Sequence, residues 1–225
     1  MQELIHQLFT SQGNPSPDLL RKIRAQGQEI IPSLIQALNQ QDENNLEFVV
    51  LLLGSFNARQ VIPTLLDLLR NRELATNIHT AIATALYEMQ ALEELLTAIQ
   101  DDQMTVIARS ECLWASTYLA EKSQQNHTRV CQTLHGQLEQ FLQCAPTITK
   151  DEILFGEHLI TAMIALGYYE ADNMLEKAFL SSGIEEWFIL HDEVIQDHPF
   201  IVLPPDWLDR YEEEYQGKSW TLRKP

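Results

Sequence analysis

The stretch IIPSLIQALNQ, Ile30 to Gln40, is rewritten as VIPTLLDLLRN from Val61 to Asn71, with Ile31/Ile62, Pro32/Pro63, Leu34/Leu65 and Leu38/Leu69 each 31 residues apart. A third copy follows in ALEELLTAIQDD, where Leu92, Leu95 and Ile99 stand 30 residues after Ile62, Leu65 and Leu69, and Glu93 replaces the proline. A period of this length constrains the fold strongly. One such unit cannot bury its own apolar face, so like units must stack, each a pair of antiparallel helices. Proline suits the first helical position, because the N–H it lacks has no intrahelical acceptor there and its fixed φ is helical. Pro32 and Pro63 are therefore expected to open two equivalent helices.

The partner helices lie between these copies. In TNIHTAIATALYEM, Ile78, Ala81, Ile82, Ala85, Leu86 and Met89 step along one helical face. LEFVVLLLGSF, with Leu46, Val49, Val50, Leu53 and Phe56, is apolar almost all round, as befits a helix enclosed by neighbours. TVIARSECLWASTYLA places Ile107, Trp114 and Tyr118 on the next, with Cys112 and Leu119 alongside. Further helices are expected around Leu134, Leu138, Phe141 and Leu142, and around Phe155, Leu159, Ala162, Met163 and Leu166. The second of these is headed by Thr149 and Glu152 at capping-box spacing. ADNMLEKAFLSSG closes on Gly183 as a C-terminal cap, and Ser182 with Glu185 caps another helix. Near the start, Ser16-Pro17-Asp18 reads as an N-cap followed by proline, opening a helix to about Gln26. No stretch alternates as a strand does, so the chain reads as all-α.

Charge narrows the partners. The 225 residues carry a net charge of −17. Residues 151–225 hold 5 basic against 16 acidic side chains, so the excess sits toward the C-terminal end. Such a surface repels phosphate backbones and offers few cations for counterion release, which argues against nucleic acid. The longest apolar run, Phe48–Leu53, falls far short of the ~20 residues of a membrane span. The opening MQELIHQLFT lacks a basic stretch followed by an apolar core, so no secretory signal is expected. Cys112, Cys131 and Cys144 lie among apolar helical residues without metal-ligand spacing, which suits packed, reduced thiols in the cytoplasm.

The repeats resemble HEAT-type repeats, especially those of phycobilisome-lyase-like proteins. LEELLTAIQDDQMTVIARSECLWASTYLA carries the likeness: Leu92, Leu95 and Ile99 on the second helix, Asp101-Asp102 in the turn, and Ala108-Arg109 at the next helix. The match spans about residues 30–119. A wider layout, about residues 4–198, is similar to a bacterial family of helical proteins of unknown function (domain of unknown function 1186). That likeness rests on FVVLLLGSFNARQVIPTLLDLLR, VIARSECLWASTYLAE and ADNMLEKAFLSSGIEEW. Some relatives end in a cysteine-rich zinc module, for which this chain, with no cysteine after Cys144, has no ligands. Sequence and resemblance together give a right-handed α-α superhelix, a HEAT/armadillo-like solenoid of about five helix pairs over residues 1–198, with an acidic, aromatic extension over 199–225. The resemblance also implies that Arg109 stitches adjacent repeats by pairing with Asp101 or Asp102.

Two constellations bear on chemistry. His158 and, 33 residues on, His191-Asp192 resemble the opening of the all-α His-Asp metal phosphohydrolases, although the later core aspartate of that pattern has no counterpart. His191, Asp192, Asp197 and His198 offer metal-ligating atoms, but not the i,i+4 spacing that sets two ligands on one helical face. No phosphate loop, nucleophile elbow or catalytic Cys/His spacing appears. Met104, Met163 and Met174 read as core fillers.

Aromatics and carboxylates interleave over Trp187–Trp220. Trp187, Trp207, Tyr211, Tyr215 and Trp220 are expected either to cap the exposed end of the solenoid or to dock a basic partner. The residues thus favour a cytoplasmic scaffold or adaptor that binds a protein with a basic surface, without metal, cofactor, nucleic acid or membrane. A chromophore (bilin) lyase or chaperone, implied by the resemblance, and a metal-dependent phosphohydrolase stay open as alternatives. Oligomeric state is not legible.

Overall fold

The computed structural model describes residues 2–40, 43–71, 73–143, 150–168 and 207–216. Among these, every regular element is helical: α1 (Gln2–Thr10), α2 (Pro17–Arg24), α3 (Ile31–Gln40), α4 (Glu43–Ser55), α5 (Ile62–Leu69), α6 (Thr76–Glu88), α7 (Leu92–Ile99), α8 (Val106–Ala120), α9 (Gln124–Gln143), α10 (Lys150–Ala165) and α11 (Trp207–Tyr215). None is long and apolar enough to cross a membrane.

The burial pattern follows the repeat in the sequence between its first two copies. From Ile31 to Asn39 the succession of buried, half-buried and exposed residues recurs position for position from Ile62 to Arg70. Leu34, Leu38, Leu65 and Leu69 are all buried, and so are Leu95 and Ile99 in the third copy. The prolines stand one position later than expected. Short 3-10 turns, Gly27–Ile30 and Arg59–Val61, run directly into α3 and α5, so Ile31 and Ile62 take the first helical position and Pro32 and Pro63 the second. The N–H missing there is still one that the first turn leaves unsatisfied. Where Glu93 replaces proline, α7 starts without such a turn.

The chain divides into two compact units. The first comprises the described residues within Met1–Leu68, Glu73–Met89 and Ile201–Pro225. Here α4 packs against α1, α3 and α6, and Leu46, Phe48, Val49, Val50, Leu51, Leu52 and Leu53 are all buried, as its all-round apolar sequence requires. α4 and α6 approach closely at Gly54: a Cβ placed there would lie 2.7 Å from the Cα of Ala85. Asn77 Nδ2 donates to Glu47 Oε2 at 2.5 Å, and Arg59 donates to the Met89 carbonyl; each link spans 30 residues. α2 is capped as its sequence predicts, with Ser16 Oγ accepting from the Leu19 N–H and Pro17 next in line. The C-terminal segment holds a helix, α11, which packs on α2 of this unit.

The second unit comprises the described residues within Leu69–Arg72 and Gln90–Phe200, with α8 packed against α7, α9 and α10. One expectation fails here. Ile107, 43% exposed, and the half-buried Trp114 and Tyr118 do not form the buried stripe of α8. Ala108, Ser110, Cys112, Leu113, Ala115, Ser116, Thr117, Leu119 and Ala120 do, Cys112 and Leu119 among them as expected. Small side chains predominate in this buried set and let neighbouring helices approach closely, with Leu113 and Leu119 the large apolar residues among them. Thr105 caps α8, its Oγ1 accepting from the Ala108 N–H at 3.1 Å.

Candidate functional site

The second unit is organised around Arg109, in the first turn of α8. Its Nε donates to the Ile99 carbonyl at the end of α7 (2.8 Å), and its Nη2 donates to Gln137 Oε1 on α9 (2.9 Å). The guanidinium lies 3.9 Å from the centroid of the Phe155 ring on α10. One planar cation thus joins four helices, using its forked donors and its flat face together. Burial pushes the Arg109 guanidinium below its ordinary pKa, against the opposing pull of the Asp102, Glu152 and Asp101 carboxylates.

The stitching residues read from the sequence are all in this region, with a different division of partners. Asp102 is 3.9 Å from Arg109 and well exposed, a weak pairing. Asp101 instead accepts from Arg70 Nε at 2.8 Å, a link of 31 residues, and from the Gln103 N–H at 2.9 Å. Burial raises the pKa of Asp101, but these two hydrogen bonds and the charges of Arg70 and Arg109 outweigh it and hold the carboxyl below its usual range. Arg70, Gln137 and Phe155 carried no signal marking them as partners in this junction.

Gln137 also borders an open cleft of about 400 Å³, lined by Gln100, Arg129, Gln132, Thr133, Gly136 and Gln137. The cleft exists because α9 spends one face on the core, through Val130, Cys131, Leu134 and Leu138, and keeps amides on the other. Gly136 forms its floor, with no atom within 4 Å of where a Cβ would stand. Arg129 at the rim pairs with Glu93. Gln100, Gln132 and Thr133 supply donors and acceptors of the kind that take a polypeptide backbone, while the Gln137 amide already accepts from Arg109 and donates to Gln140. They supply no nucleophile–base pair.

The aromatic C-terminal residues are partly placed. Trp207 is buried, its Nε1–H donating to Ser55 Oγ at 2.8 Å. The Tyr211 hydroxyl donates to the Pro15 carbonyl at 2.7 Å, and its ring meets Phe48 edge-on, centroids 5.1 Å apart. Burial, then the charges of Tyr215 and Glu47, push the Tyr211 phenol up to about 12. Tyr215 is 50% exposed. Trp187 and Trp220 lie outside the described residues.

His158 stands with its Nδ1 2.7 Å from Ser110 Oγ and its ring beside Trp114. Ser110 is 4% exposed within α8 and His158 is half-buried, so this part-buried pair joins α8 to α10. His191, Asp192, Asp197 and His198 lie outside the described residues. Among the described residues, no three of His, Cys, Asp and Glu come together as metal ligands. Cys112 and Cys131 are buried, and burial pushes the Cys112 thiol far up; Cys144 lies outside the described residues.

These features define a class: a protein of packed helix pairs, helical in every regular element among its described residues and tied by polar links at the period of its sequence. No protein-family model, curated protein or solved structure matches the chain.

Proposed function

We propose that the chain is a protein-binding scaffold of HEAT-like type, a right-handed α-α superhelix that holds a basic partner and acts by binding rather than by catalysis. The amide-lined cleft on α9 carries this reading. Its side chains match the donors and acceptors of an extended polypeptide segment, and it opens beside the Arg109 junction, which fixes the helices that frame it. The net charge of −17 supports a basic partner, because a field of one sign steers the opposite sign to the surface and speeds encounter. A cytoplasmic setting and kinship with the domain-of-unknown-function 1186 family belong to the same proposal.

Gly136→Trp tests it. The substitution puts a large side chain into the cleft lining at a position whose Cβ meets nothing within 4 Å, and it replaces a poor helix former. A stoichiometric basic protein retained by the native chain should be lost from Gly136→Trp at unchanged melting temperature. Equal retention by both chains would exclude the cleft.

A further inference from the structure

We infer that the face of α2 and α4 covered by α11 is a helix-binding groove: α11 is its self-supplied occupant, and an acidic amphipathic helix of the same pattern is the ligand it takes from a partner. The inference stands apart from the cleft on α9. The groove reads a short pattern along one side of α11. Ser55 Oγ takes the Trp207 indole N–H, and the Pro15 carbonyl and Asn14 Oδ1 (3.2 Å) take the hydroxyl of Tyr211, four positions on. Phe48 receives the Tyr211 ring edge-on, and Arg21 pairs with Glu212, five positions on. Anchors at i and i+4, here the indole and the phenol, are how an amphipathic helix is recognised in a groove, and the carboxylate at i+5 adds a charged contact.

Charge selects the same ligand. The last turn of α2 carries Arg21, Lys22 and Arg24, three of the 15 basic residues of a chain of net charge −17. The sequence of α11, WLDRYEEEY, has four carboxylates and one arginine. The basic partner expected for this acidic, aromatic segment is therefore present within the chain itself. The docking is small enough to be exchanged. Among the α11 side chains described, Trp207 and Leu208 are buried, Tyr215 is half exposed, and the Arg21–Glu212 pair is partly exposed. A nine-residue helix does not hold its shape alone in water, so α11 owes its helicity to the groove, as a bound peptide does.

The test uses the full chain and a labelled synthetic peptide of residues 205–217. In the full-length Trp207→Ala/Tyr211→Ala variant the groove loses its own anchors. This variant should bind the peptide saturably and one to one, whereas the native chain, its groove filled, should bind about 10-fold or more weakly. Adding Arg21→Glu to the variant should weaken binding, and a peptide carrying Trp207→Ala should not bind. A folded variant that fails to bind, or equal binding by native chain and variant, would overturn the inference. So would loss of the helical fold in the variant, because α11 would then be part of the core rather than a ligand.

Discussion

Gly54→Ala is the sharpest test of how the first unit is packed. Alanine is the better helix former by about 1 kcal/mol, so on propensity alone the change stabilises α4. The structure opposes this. The new Cβ would lie 2.7 Å from Ala85 Cα and 2.9 Å from both Ala85 Cβ and Glu88 Oε2, where carbon–carbon contact needs about 3.5 Å or more. The nearest obstacle is backbone of α6, at a fully buried residue, and cannot swing aside. Relief requires α4 and α6 to part by several tenths of an ångström, at an overpacking cost of about 3 kcal/mol, the upper end of the usual range. The net expectation is a loss of about 2 kcal/mol, or about 4–8 °C in Tm for a chain of this size. Gly136→Ala is the control. It also lies within a helix but meets nothing within 4 Å, so it should stabilise by about 1 kcal/mol. Urea and thermal unfolding followed by circular dichroism at 222 nm measure both. Ala85→Gly should rescue Gly54→Ala only in part, since the Cα remains. Equal stabilisation by the two glycine substitutions would refute the close approach of α4 and α6.

Three further outcomes follow from named groups. Asp101 has a depressed folded-state pKa, so its stabilisation is present above the unfolded value, about 3.9, and is lost as pH falls through the folded value. Asp101→Asn should therefore be less stable than the native chain at neutral pH and match it in acid, by urea titration at each pH. Tyr211 is shifted upward, so its contribution is present below pH ~10 and lost as pH rises through about 12. Tyr211→Phe should abolish the phenolate absorbance change near that pH and lower stability at neutral pH by about 1 kcal/mol, the worth of its hydrogen bond to Pro15. Gln90, just beyond α6, sits at φ 53°, where a side chain is crowded; Gln90→Gly should raise stability by about 0.5–1 kcal/mol, measured by thermal unfolding.

What the sequence conveyed was local. Apolar spacing fixes which side of a helix turns inward, so Ile78 to Met89 and the copies at Leu34, Leu65 and Leu95 read correctly, and Ser16-Pro17 marked a true start. In α8 the large side chains of Ile107, Trp114 and Tyr118 stand out in the sequence, whereas the buried face is mostly small residues together with Leu113 and Leu119, and Ile107 is left outside. Links that cross the chain left no local trace. Nothing in the sequence pairs Gly54 with Ala85, Arg70 with Asp101, or Trp207 with Ser55 152 residues away. The resemblance pairs Arg109 with Asp101 or Asp102, whereas its near acceptors in the structure are a carbonyl and an amide, which occur too widely to point to a partner. The cleft shared that obscurity: Gln100, Gln132 and Gln137 are ordinary surface residues until α7 and α9 bring them together.

Native mass spectrometry of the complex isolated gently from its own cells, with absorbance and metal content measured on the same sample, shows whether the chain serves by holding another protein. The account predicts the mass of the chain plus a stoichiometric basic polypeptide, without bilin absorbance or equimolar metal. A chain that carries a pigment or a stoichiometric metal ion and no polypeptide would contradict it.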